Sequence, residues 1–180
     1  MRAFDNIVQI YDMIRAVNRE PMEEPPTSRE SVRSQLAKVG LQMPEVLEDL
    51  YSWHNGIYHL NAFLHILSVE EAVEYYQSYF ELTRDYGGFG WCPGWLPVID
   101  INGDTQYCLS ENSKEIAAVD VECGTFSVVA NDYERVLDAI AAAFKRGDAV
   151  FEKGGGCFEI SAQKWKALAR EFGIKPGGGV

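Results

Sequence analysis

Acidic side chains, histidines and cysteines are the residues of this chain whose chemistry could support catalysis or metal binding. Asp100, Asn102 and Asp104 alternate like the first ligands of a calcium loop, but the glycine falls too early and no glutamate stands where it could bind the ion with both oxygens. The two aspartates would flank a tight turn, where water keeps both ionised and neither acts as a general acid. We therefore predict no metal site and no acid–base pair at this cluster.

The histidines and cysteines have no spacing typical of a metal or redox site. His54, His59 and His65 lie close in sequence, but the first ends a predicted helix and the others belong to a turn and a strand. The cysteines are widely separated, which favours buried free thiols over a zinc knuckle or a redox pair. They are Cys92, Cys108, Cys123 and Cys157.

Other catalytic motifs are missing as well. Gly87, Gly88 and Gly90 have the composition of a phosphate loop, but a helix precedes them and strands follow, which reverses the order of a dinucleotide-binding motif. The sequence contains no nucleophile elbow, no histidine pair one helical turn apart and no P-loop. We predict a protein that is not an enzyme, with no catalytic residues and no cofactor.

The negative charge of the chain is concentrated in its middle. The whole chain has a net charge of −11, yet residues 48–132 alone hold fourteen Asp and Glu against two basic residues, Arg84 and Lys114, a net charge of −12. Such a block repels nucleic-acid phosphates and anionic lipid, and it attracts a basic partner. We predict a basic protein partner, with no nucleic acid and no membrane. The alternative is that these carboxylates only solvate the outer faces of helices and strands.

The length and hydropathy of the chain predict one soluble globular domain. The chain has 180 residues and is 47% apolar, but no apolar run approaches the roughly 18 residues that a membrane helix needs. Its N-terminus lacks the apolar stretch of a secretory signal, so we expect a cytoplasmic protein.

The N-terminal part of the chain is predicted to be helical. Apolar spacing predicts an amphipathic helix over residues 3–18, followed by a loop over residues 19–26 that is rich in proline and glutamate. Thr27 and Glu30 form a capping box for a second helix, which ends at Gly40. The domain proper is predicted to begin at this second helix.

The longest predicted helix is capped by Ser68 and Glu71 and runs to about Tyr86. Tyr75 and Tyr79 are candidates for a more exposed aromatic stripe along it. The side chains predicted to face the core are Val69, Ala72, Val73, Tyr76 and Phe80.

Turn residues, with β-branched and aromatic content between them, predict a four-stranded β-meander in the second half, preceded by one short strand. The predicted strands cover residues 62–67, 96–101, 105–110, 115–121 and 125–130. Asn102-Gly103 is the strongest hairpin signal, since both residues tolerate positive φ. The composition fits a sheet covered by helices on one face. A closing helix over residues 132–146, a small hairpin and a helix capped by Ser161 follow, before a glycine tail that we expect to be disordered.

Two motifs about forty residues apart resemble the SUKH superfamily of bacterial toxin-immunity proteins and a fungal cell-wall-synthesis regulator. The first runs from Met43-Pro44-Glu45 to Trp53-His54-Asn55-Gly56, and the second from Trp95-Leu96-Pro97-Val98 to Tyr107. Met43 stands where a leucine is more usual. The resemblance implies a single α+β domain with a mainly antiparallel sheet of about four to six strands. It divides the chain into an extension over residues 1–27, a SUKH-like domain over 28–147 and a second extension over 148–180.

The resemblance implies a binding module without a catalytic set, and two hypotheses follow. The first is an immunity protein that blocks a basic toxin, possibly a nuclease, through an acidic surface with aromatic anchors. The second is a regulatory or scaffolding protein. The oligomeric state stays open. The candidate partner-binding residues are Trp91, Trp95, Asp100, Asp104, Glu111, Asp120 and Glu122.

Overall fold

The computed structural model describes residues 2–16, 22–42, 45–58, 64–87, 90–101, 103–152 and 157–175. The helices of this part of the chain are α1 Arg2–Arg15, α2 Arg29–Ala37, α3 Glu45–Trp53, α4 Val69–Tyr86, α5 Tyr133–Arg146 and α6 Ala162–Phe172. The strands are β1 Met22–Glu23, β2 Ile57–Tyr58, β3 Leu64–Ile66, β4 Trp95–Ile101, β5 Thr105–Ser110, β6 Ile116–Asp120, β7 Thr125–Ala130, β8 Ala149–Glu152 and β9 Cys157–Ile160. None of the described helices is long and apolar enough to cross a membrane.

The predicted α+β fold with a mainly antiparallel sheet is confirmed. Strands β1 to β7 form one sheet in sequence order, and each neighbouring pair is antiparallel. Strands β8 and β9 form a separate hairpin. The sheet has seven strands in the described residues, so the expected four to six were too few.

Two strands of the sheet were not predicted: β1 at the sheet edge, in the segment predicted to be a loop, and the neighbouring β2. Met22 pairs with Tyr58 and Glu23 pairs with Ile57. A pairing of two residues leaves no hydrophobic alternation in the sequence, which explains why the prediction was wrong. The glutamate of this strand also accepts from Arg15 at 2.8 Å, which links β1 to the end of α1.

Helices cover both faces of the sheet, and the prediction of one covered face was wrong. Gln106 and Cys108 of β5 face α4, whereas Tyr107 and Leu109 face α1, α3 and α5. Every residue of β5 from Gln106 to Ser110 is buried. A strand buried on both sides lacks the polar alternation that marks a solvent-facing side.

The helix ends follow from local capping chemistry. Ser68 and Glu71 form the predicted capping box of α4, and Gly173 and Ile174 close α6 through amides that donate to Arg170 and Ala169. The cap of α2 is Ser28 rather than the predicted Thr27, since the Ser28 hydroxyl accepts from the Ser31 amide at 3.1 Å. The predicted disorder of the glycine tail lies outside the described residues.

Two aromatic residues of α4 are placed differently from the prediction. Tyr79, a candidate for the exposed stripe, is only 2% exposed, whereas Phe80, predicted to be buried, is 48% exposed. Every fully buried side chain of α4 lies between Val69 and Tyr79. The last turns of the helix therefore extend past the core, and an apolar side chain there reaches water.

Candidate protein-binding site

The candidate acidic residues are distributed over both ends of the sheet. The amide of Val121 donates to the carbonyl of Asp104 at 2.9 Å, which brings the β4–β5 turn beside the β6–β7 turn. Asp104, Asp120 and Glu122 therefore lie at one end of the sheet, which we call the acidic turn end. Glu111 follows the other end of β5, roughly 20 Å away for a strand of this length.

The geometry of the β6–β7 turn concentrates negative charge at the acidic turn end. Asp120 accepts from the backbone amide of Cys123 at 2.8 Å, and Glu122 between them is exposed. The charge of Asp120 and its hydrogen bond raise the pKa of the Cys123 thiol, and Glu122 adds to this effect. The exposed thiol of Cys123 therefore lies in a region of negative electrostatic potential.

Asp100 does not belong to this surface, because it is only 7% exposed. Its carboxylate accepts from the side-chain amide of Gln106 and, at 3.1 Å, from the backbone amide of Gly103. Gln106 accepts in turn from the hydroxyl of Tyr79 on α4. A buried carboxylate is stable only when such donors replace water. Asp100 thus connects α4 to the β4–β5 hairpin, and the sequence interpretation of Asp100 as a contact residue does not fit this position.

Of the two predicted aromatic anchors, Trp91 is buried and Trp95 is partly buried against the core. Trp91 is 3% exposed and meets Tyr76 edge to face at 4.8 Å between ring centroids. The indole nitrogen of Trp91 has no hydrogen-bond partner among the described residues. Trp95 is half-buried and packs against Phe126 at 5.2 Å. Trp91 therefore stabilises the core rather than presenting a ring to a partner.

Glu111 connects two loops by hydrogen bonds at the end of the sheet opposite the acidic turn end. Its carboxylate accepts from the backbone amide of Gln42 at 3.2 Å and from the side-chain amide of Asn112 at the same distance. Its own amide donates to the carbonyl of Gly94 at 2.9 Å. These bonds give Glu111 a local structural role, and its distance from the acidic turn end separates it from the other candidates.

The structure presents two exposed aromatic residues that the sequence interpretation missed, Phe80 and Tyr86. They are 48% and 78% exposed, and both lie in the last two turns of α4. The amide of Gly90 donates to the carbonyl of Gly124 at 2.9 Å, which ties the chain after α4 to the β6–β7 turn. Four residues span at most about 14 Å, so Tyr86 lies within that distance of Gly90. We call Phe80, Glu81 and Tyr86 the α4 end.

A sequence signal for the α4 end existed but was ambiguous. Phe80 follows Tyr76 by four residues and Val73 by seven, so helical spacing assigns all three to one face. Only the glycines that follow Tyr86 indicate that the helix ends beyond the core.

Among the described residues, no group of three or more His, Cys, Asp or Glu is placed to hold a metal ion.

Comparison with known protein families matches residues 26–139, more than half of the chain, to the SMI1/KNR4 family (SUKH-1). The chain belongs to this family. The resemblance inferred from the two sequence motifs is therefore confirmed, and it supports a general role in protein binding or immunity. In this SUKH-1 protein, α1, β1, the β8–β9 hairpin and α6 lie outside the matched residues. A search among curated protein sequences found no match.

Proposed function

We propose that this SUKH-1 protein is an immunity protein that neutralises a cognate toxin with a basic surface. The toxin would bind the acidic turn end, with Phe80 and Tyr86 of the α4 end as the aromatic contacts. The observation that carries the proposal is the hydrogen bond from Gly90 to Gly124, which ties the chain that follows the exposed ring of Tyr86 to the turn that carries the exposed carboxylate of Glu122. Aromatic side chains provide most of the energy in many interfaces, and charges around them guide the partner to the site.

The distribution of ion pairs supports the acidic turn end as the contact surface. Elsewhere, several acids are neutralised locally: Arg33 binds Glu48 at 2.7 Å, Arg29 binds Asp49 at 2.6 Å and Lys114 binds Glu134 at 2.6 Å. In the described part of the chain, no ion pair involves Asp120 or Glu122. Their charge therefore stays available for long-range attraction of a basic partner.

The experiment that tests the proposal begins with the tagged protein in its native host cell. A stoichiometric partner would be identified by mass spectrometry, purified and tested for toxicity in cells with and without this protein. The immunity hypothesis requires that the partner is toxic and that this protein abolishes the toxicity. Several substoichiometric partners without toxicity would instead favour the regulatory or scaffolding alternative, for which the elements outside the family match offer additional surface.

Charge reversal then tests the surface itself. A variant with Asp104→Lys and Glu122→Lys should bind the purified toxin at least tenfold more weakly, and the loss should shrink at high salt. The matched control is Asp5→Lys with Asp12→Lys, which changes the net charge by the same amount at exposed positions of α1. Equal weakening in both variants would indicate a nonspecific charge effect and contradict binding at the acidic turn end.

A further inference from the structure

An apolar cavity of about 440 Å³ lies on the α5 side of the sheet. Its walls come from α1, α3, α5, the sheet and the β8–β9 hairpin. Protein interiors leave few spaces larger than a water molecule, whereas ligand pockets measure roughly 300–1,000 Å³. The cavity therefore has the size of a binding site. It lies on the face of the sheet opposite α4, so it is distinct from the toxin-binding surface proposed above.

The cavity is elongated along α5. The lining residues of this helix run from Tyr133 to Phe144, eleven residues apart and thus about 16 Å along the helix axis. An apolar cavity of about 150 Å³ is known to bind one benzene molecule, so 440 Å³ corresponds to roughly eighteen carbon atoms. A narrow space of this length and volume fits one alkyl or isoprenoid chain better than a compact ring system.

The lining of the cavity carries no charge inside it among the described residues. Glu159 of β9 is the one charged residue of this lining, but it pairs with Val150, so its side chain lies on the exposed outer side of the β8–β9 hairpin, away from Ala149 and Ile160. The other polar side chains of the lining are tyrosines: Tyr11, Tyr107 and Tyr133. Burial raises the pKa of Tyr107 to about 12, so this hydroxyl is neutral near pH 7. A charged head group would therefore stay in water at the rim.

We propose that the cavity binds the alkyl or isoprenoid chain of a single-chain amphiphile, with its head group in water at the rim. The apolar side chains along α5 and the sheet surround the chain. Two walls of this site, α1 and the β8–β9 hairpin, are formed by elements outside the SUKH-1 match. The site is thus a property of this chain's extensions together with the family core. α1 is fixed against α5 by the side-chain amide of Asn6, which donates to Asp138 at 2.6 Å.

The first test measures binding to the full chain with three probes of equal chain length: dodecanol, dodecylamine and dodecanoate. Each would compete with the neutral fluorescent dye N-phenyl-1-naphthylamine, at concentrations below micelle formation. Dodecanol should displace the dye, and Glu159→Lys should leave its affinity unchanged, because the apolar chain alone contacts the cavity. Failure of the native protein to bind the dye or any of the three probes would overturn the proposal. Displacement by dodecylamine alone would also overturn it, since attraction of a cationic head group would then account for the binding.

The second test locates the bound chain. Ala149 lines the cavity from β8, whereas the next residue, Val150, is 55% exposed. Ala149→Phe should lower dye affinity at least tenfold by filling the cavity, and Val150→Phe should leave it unchanged. Equal affinity in both variants would place the dye on the surface and contradict the site.

Nuclear magnetic resonance of the native protein makes the test independent of whether Ala149→Phe folds. Dodecanol should shift the methyl signals of the cavity residues Ile99 and Ile140, but not those of Val73, which is buried on α4 across the sheet from the cavity. Shifts confined to residues outside the cavity would overturn the assignment.

Discussion

The middle and the end of α4 carry similar aromatic side chains in opposite environments. Tyr76 and Tyr79 are buried and contact Trp91, whereas Phe80 and Tyr86 near the end of the helix are exposed. Phe80 is even on the same helical face as Tyr76. The difference arises because the core supports only the first part of the helix. Helical periodicity therefore predicts which side is apolar, but not where along the helix that side loses its cover.

The acidic residues show the same contrast. Asp100 is 7% exposed and accepts hydrogen bonds from Gln106 and Gly103, whereas Glu122 is exposed at the acidic turn end. Both belong to the acidic block of the sequence, yet one connects α4 to the sheet and the other faces water. A charge count predicts the sign of a surface but does not distinguish these roles. Substitutions at matched positions can separate them.

The largest expected effect is the loss of Trp91 from the core. Trp91→Ala should lower the free energy of unfolding by about 3–5 kcal/mol, because it leaves a large cavity beside Tyr76 and Tyr79. Tyr86→Ala, at a ring that is 78% exposed, should change stability by about 0.5 kcal/mol or less. Urea denaturation followed by circular dichroism measures both. Similar losses of unfolding free energy in the two variants would mean that the ring of Tyr86 is packed as tightly as the ring of Trp91.

The next largest effect concerns the buried carboxylate. Asp100→Ala should destabilise the fold by about 1–3 kcal/mol, because the donors on Gln106 and Gly103 lose their acceptor. Glu122→Ala should be nearly neutral, within about 0.5 kcal/mol. The same denaturation experiment compares them. If Asp100→Ala left the free energy of unfolding unchanged but weakened binding of the proposed toxin, Asp100 would be a contact residue after all.

Much of the fold could be predicted from the sequence because its local signals agree with one another. The capping box at Ser68 and the turn residues between the strands β4 to β7 each predicted an element that the structure contains. The strand β1 could not be predicted, because two paired residues carry no periodic pattern. The covering of both sheet faces by helices could not be predicted either, since it depends on how α4 crosses the sheet rather than on any local pattern.

The candidate site was less predictable than the fold. The acidic block predicted Asp104, Asp120 and Glu122 as contact residues, and their proximity arises from the pairing of adjacent hairpins. Trp91 was a plausible anchor by residue type, but its burial depends on Tyr76 and Tyr79 of another element. The exposure of Phe80 likewise depends on where α4 passes the edge of the core. These properties are tertiary, and no spacing of residues within one element encodes them.

A smaller effect on stability would locate the boundary between the buried part of α4 and its exposed end. Phe80→Ala should lower the free energy of unfolding by about 1 kcal/mol or less, since half of the ring already contacts water. Val73→Ala, on the same face two turns earlier and 6% exposed, should cost more, roughly 1.5–3 kcal/mol. Phe80→Ala should nevertheless weaken toxin binding at least tenfold. Unchanged affinity would remove Phe80 from the proposed contact surface.

The smallest effect probes the negative potential of the acidic turn end without any partner. Asp120 raises the pKa of Cys123, so less of the reactive thiolate is present at pH 8 than for an ordinary thiol. Asp120→Asn removes the charge but keeps an oxygen that can accept from the Cys123 amide. The pKa should fall and alkylation by iodoacetamide should become about two- to threefold faster, because a less basic thiolate is also a weaker nucleophile and offsets part of the gain.

Peptide mass spectrometry follows the alkylation of Cys123 separately from the other cysteines, and Asp12→Asn on α1 is the control for a general change in net charge. Added salt screens exposed charges, so the difference between the native protein and Asp120→Asn should narrow as ionic strength rises. An unchanged or slower reaction in Asp120→Asn would mean that the turn carries no appreciable negative potential. The acidic turn end would then lack the long-range attraction on which its proposed selection of a basic toxin depends, whatever the partner's identity.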